Sequence, residues 1–294
     1  MNTSVNQQEP LSERAPRELA VLSARCAAGE AEVATAYFES PKRSPELDAV
    51  WLEKQAGREL ESTFTLLRPI LDHVGRDMGG TDQFWVDNIP DGIDRHWLEE
   101  NLEKIRQEIN HGNHCVDIFE EITGKPADIK EIIRKYNRWS PDPDAPNNTE
   151  WCKLADLFRE QEARPEPWAK LITSEGLLEG GSCGLFYSAS LLKGNKVDDW
   201  ISRAFKVVLD DEQGHGPANL FAVNKYIKTD EDLEAAKEML HARALQRLHM
   251  RNEQFSFLLE PARLEAIMNG DVDLTVVRDI WGDTPYRYVT GGES

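Results

Sequence analysis

Apolar residues in this chain return at intervals of three and four, and hardly anywhere at intervals of two. Over 93–122 one stripe runs through Leu98, Leu102, Ile105, Ile109, Val116 and Phe119. Over 45–74 another takes in Ala56, Leu60, Leu67, Ile70, Leu71 and Val74. Such spacing keeps one face of a helix apolar and leaves no alternating face for a sheet. The same pattern predicts helices over 17–38, 126–138, 149–162, 165–192, 197–227 and 229–259. Thr229 caps the last of these, and Gly194-Asn195 breaks the chain between two of them. The run VDLTVV at 272–277 is the best strand candidate. The expectation is an all-α chain forming a single domain over 1–294. Four long helices make a core over about 45–227, flanked by an N-terminal helix and further helices over 229–270.

Charge narrows the function. Lys and Arg number 34 against 53 Asp and Glu, a formal net charge of −19. Nucleic-acid binding needs a basic face, and anionic membranes repel such a surface. The first residues, MNTSVNQQEPLSERAPRELA, lack the apolar core of a signal peptide, and no stretch is long enough to span a bilayer. The four cysteines, Cys26, Cys115, Cys152 and Cys183, form no CxxC pair and read as reduced, packed thiols. A cytoplasmic location is expected.

The chemistry sits in Glu-x-x-His. Residues three apart share a helix face, so this pair aims a carboxylate and an imidazole at one cation. The composition predicts about 0.7 such matches by chance; three occur, Glu108–His111, Glu212–His215 and Glu238–His241. Glu212 and His215 fall within the stripe of Ile201, Phe205, Val208 and Asn219. Glu108 borders the apolar stripe of its helix, with His111 turned further away. Glu238 and His241 lie among Lys237, Arg243 and Arg247, on what reads as a solvated face. Each remaining long helix should add one glutamate. Glu59, beside Thr63 and Leu66, is preferred to Glu61, which points away from the stripe. Glu179 is preferred to Glu175, because it stands 16 residues before Asn195 and Glu212 stands 17 after it. Gly214, Gly216 and Pro217 weaken the helix around His215, consistent with a kink or an opening at a site.

With these motifs, EINHGNHC and DDEQGHG, the chain resembles the ferritin-like di-iron carboxylate proteins, over roughly 45–227. That group includes bacterial hydrocarbon monooxygenases, arylamine N-oxygenases and ribonucleotide reductase small subunits. The resemblance implies a ferritin-like four-helix bundle with additional helices. It implies two iron ions, or a Mn/Fe pair, held by Glu59, Glu108, His111, Glu179, Glu212 and His215. Asp211 would orient a ligand histidine. The implied activity is O2-dependent oxidation of a small organic substrate: hydroxylation, N-oxygenation, epoxidation or desaturation. A ferredoxin or flavin reductase would supply electrons, and a homodimer is admitted. Cys115 occupies the place of the radical tyrosine of the reductases, which argues against radical storage. Cys183 stands where the monooxygenases carry a threonine, and Tyr187 reads as core. The rival expectations are a ferroxidase or iron-binding protein and a helical subunit without metal. The loop 76–93, with Trp85, is the candidate lid.

Overall fold

The computed structural model describes residues 9–74, 95–136, 149–174, 179–213 and 225–291. Among the described residues there are twelve α-helices and no strand. They are α1 (Leu11–Phe38), α2 (Pro45–Val74), α3 (Arg95–Thr123), α4 (Ile129–Tyr136), α5 (Glu150–Glu162) and α6 (Pro167–Ser174). After these come α7 (Glu179–Ser190), α8 (Lys196–Glu212), α9 (Asp230–Gln254), α10 (Pro261–Met268), α11 (Thr275–Trp281) and α12 (Asp283–Thr290). No described helix is long and apolar enough to cross a membrane.

The chain divides into two compact units. One holds residues 1–43 and 147–294, and the other residues 44–146.

The larger unit is organised around α1, which packs on α7 and α9. Its small side chains permit close approach: Ala20, Ala24, Ala27 and Ala34 are buried. At Gly184 of α7 an added Cβ would lie 2.1 Å from the Ala27 carbonyl oxygen, so these two helices meet backbone to backbone. Glu30, fully buried on α1, is held by two α9 arginines. Arg247 Nε lies 2.7 Å from Oε1 and Arg251 Nη2 lies 3.2 Å from Oε2. Burying a carboxylate requires such partners. The helix starts follow side-chain caps. Asn195 accepts from the backbone N–H of Val197 and Asp198, and Thr229 forms a reciprocal capping box with Asp232. The strand candidate at 272–277 forms no strand: residues 272–274 lead into α11, which takes up 275–277. Val277, Ile280 and Trp281 fall at helical spacing and are buried, and α11 packs on α1 and α7. The alternating residues Val272, Leu274 and Val276 are only half-buried, so the buried face follows the helical period.

In the smaller unit α2 packs on both α3 and α4. Glu53 on α2 accepts from Lys135 Nζ at 2.7 Å and from the Tyr136 hydroxyl at 2.9 Å. Gly57, one turn on, lets Tyr136 close in: a Cβ there would sit 2.6 Å from the Tyr136 Cβ. Positions 53 and 57 therefore face α4, while Glu59 and Leu60 face α3.

Candidate metal centre

Three predicted donors converge in the smaller unit. Glu59 of α2 and Glu108 and His111 of α3 each offer a ligand atom, and these atoms all lie within 4.8 Å of one another. Among the described residues this is the sole group of three or more such side chains. His111 is buried, while Glu59 and Glu108 are half-buried. Glu108 Oε2 and His111 Nδ1 are both screened from solvent.

The local sequence explains the convergence. Glu108 and His111 share a face by their three-residue spacing, and Gly112 follows at the point where α2 comes closest. A Cβ on Gly112 would lie 2.8 Å from Leu60 Cγ and 2.9 Å from Leu60 Cδ2, with Glu59 Cβ at 3.6 Å. The absent side chain at 112 thus brings the Glu59 backbone up to His111. Gln55, buried one turn before Glu59, donates its Nε2 amide to Glu59 Oε1. Cys115, one turn after His111, is also buried. Desolvation, and then the Glu59 charge, hold its thiol well above the usual range, so it stays neutral.

The donor set suits a first-row divalent cation: two carboxylates offset its charge and an imidazole completes the set. Without a cation, two carboxylates this close repel by about 3 kcal/mol at an effective dielectric of about 20, less where solvent reaches them.

Comparisons with protein-family models, with curated proteins and with solved structures give no match. The assignment of the site therefore rests on its own residues and geometry.

The apolar stripe located this site only in part. Leu102 and Ile109, which belong to it, are 49% and 39% exposed, whereas His111, expected to turn away, is 1% exposed. Ile105 and Val116 of the stripe are buried, and so are His111, Gly112 and Cys115 beside it. Glu61 is buried as well, though the wheel turns it outward.

The remaining predicted ligands lie in the larger unit. Glu212 and Asp211 are half-buried in the last turn of α8. Helices α7 and α8 pack together, and Phe186 meets Phe205 with ring centroids 5.8 Å apart. These rings stand nine residues before and ten after Asn195, the same offset that pairs Glu179 with Glu212. The Glu179 side chain lies outside the described residues. So do Glu175, His215, Gly214, Gly216, Pro217 and the loop 76–93 with Trp85. Tyr187 is half-buried and donates its hydroxyl to Asp279 at 2.9 Å, an inter-helix bond. Glu238 is exposed, as its charged neighbours imply. Sequence reasoning missed Gln55, whose signal was its place one turn before a candidate glutamate. It also missed Glu30, a carboxylate inside an alanine-rich run.

Proposed function

We propose that this chain is a non-haem di-iron oxygenase that uses O2 to oxidise a small organic substrate. The observation that carries the proposal is the convergence of Glu59, Glu108 and His111 from two helices. Joined to it is the resemblance of the two Glu-x-x-His motifs to those of ferritin-like di-iron proteins, whose four-helix bundle the proposal includes. Glu59 and Glu108 offset the charge of one divalent ion, and His111 supplies a neutral donor. The same resemblance assigns Glu179, Glu212 and His215 to a second set of donors and Asp211 to the orientation of a ligand histidine. Iron, when bound, supplies electrons to O2 and a Lewis-acid centre; the same donors accept manganese. Returning the metals to the ferrous state calls for a ferredoxin or a flavin reductase.

Anaerobic loading with Fe(II), metal analysis and an oxygen electrode test this. About two irons per chain are expected, with content and O2 uptake falling in Glu108→Ala, His111→Ala and Glu212→Ala. One ion per chain, indifferent to Glu212→Ala, would refute a two-iron site. O2 uptake that yields only ferric iron, with no organic product, would place the protein among ferroxidases. An absence of stoichiometric metal would overturn the proposal entirely.

A further inference from the structure

We infer that Gln55 is the positioning residue of this site, holding the Glu59 carboxylate where it meets Glu108 and His111; the inference rests on the metal-binding proposal above. Gln55 is 4% exposed, so its own rotamer is already fixed by packing. It stands four residues before Glu59 on α2, the spacing at which side chains on one helix touch. Its Nε2 donates to Glu59 Oε1, and chemistry settles that orientation, since the amide carbonyl would face a carboxylate oxygen lone pair to lone pair.

Two consequences follow. A free glutamate loses rotamer freedom when it is fixed on a cation. Here that ordering is made before a cation arrives, so less of it is charged to binding. The donor is also neutral. A lysine or arginine in this place would hold Glu59 equally well but cancel its charge and compete with the cation. An amide orients the carboxylate and leaves the charge of Glu59 and Glu108 for the metal. Partners of this kind change metal affinity by about 10–100-fold when removed.

The test uses the full-length chain with Co(II) as the probe, following affinity by competition titration and the visible ligand-field bands. Gln55→Met keeps the volume of the side chain and removes the donor. Leu52→Val trims a fully buried α2 neighbour one turn earlier and controls for general loosening. Gln55→Met should weaken Co(II) binding at least tenfold and alter the band intensities, while Leu52→Val leaves both unchanged. Equal affinities for Gln55→Met and the parent chain would overturn the inference, as would an equal loss in Leu52→Val. The metal-binding proposal fails separately, if the parent chain binds no Co(II) or if Glu108→Ala binds it as well as the parent does.

Discussion

Replacing Gly112 by alanine separates site geometry from fold stability. The new Cβ would lie 2.8 Å from Leu60 Cγ and 2.9 Å from Cδ2, whereas ordinary contact begins at 3.4 Å, so something must yield by about 0.6 Å. Leu60 is buried and Cγ is not a free chain end, so the simplest relief is for α2 and α3 to part. Leu60 adjoins Glu59 and Gly112 adjoins His111, so the donors part with them. Metal–ligand distances tolerate only about 0.2 Å. The metal-free protein relaxes, while the metal-bound protein cannot, and the overpacking strain of about 1–3 kcal/mol appears in binding. Affinity for Co(II) should then fall by about 5- to 150-fold. The metal-free Tm should change little, because alanine gains about 1 kcal/mol of helix propensity over glycine. Adding Leu60→Ala removes both obstructing atoms, leaving Glu59 Cβ at an ordinary 3.6 Å, and should restore the affinity of the folded protein. Competition titration of the parent chain, Gly112→Ala and the double variant reads all three. A Gly112→Ala protein that binds Co(II) within about twofold of the parent would refute the account of how the donors are brought together.

Other variants probe the larger unit. In Gly184→Ala the new atom meets backbone at Ala27 and Ala31, which cannot rotate away, so a loss of about 3 kcal/mol or more is expected in thermal melts; a Tm within about 2 °C of the parent contradicts the backbone contact. Glu30→Ala leaves Arg251 buried without its carboxylate, and should cost about 3–5 kcal/mol in urea unfolding; a change below about 1 kcal/mol contradicts the ion cluster. Burial, reinforced by the Glu30 charge, pushes the Cys26 thiol from 9.0 up to about 12. The unfolded thiol ionises first, so its contribution is whole below about pH 9 and declines by up to about 1.4 kcal/mol per pH unit towards pH 12. Urea melts at about pH 8.5 and 10.5 should show a smaller loss in Cys26→Ala than in the parent, and equal losses contradict it.

Much of the helical layout is legible in the chain because caps and periodicity are local. Asn195 and Thr229 mark helix starts by hydrogen bonds to the next two or three residues, and three-residue spacing alone places Glu108 and His111 on one face. Where a residue's burial depends on how many faces of its helix are covered, periodicity falls short. Helix α2 packs on both α3 and α4, and Glu61 is buried although it lies off the stripe. Helix α3 meets α2 along the side opened by Gly112, which buries His111 and leaves Leu102 and Ile109 exposed. The run at 272–277 suggests a strand because its apolar residues alternate at 272, 274 and 276, whereas its second half opens a helix that packs on α1 and α7. Local pattern suffices for the all-helical class, several helix starts and the residue types able to hold a cation. That Glu59 joins Glu108 and His111, with Gln55 donating to it, comes from the packing of α2 on α3. Convergence of side chains from two helices is set by the distance between those helices, and that distance depends on the side chains of both.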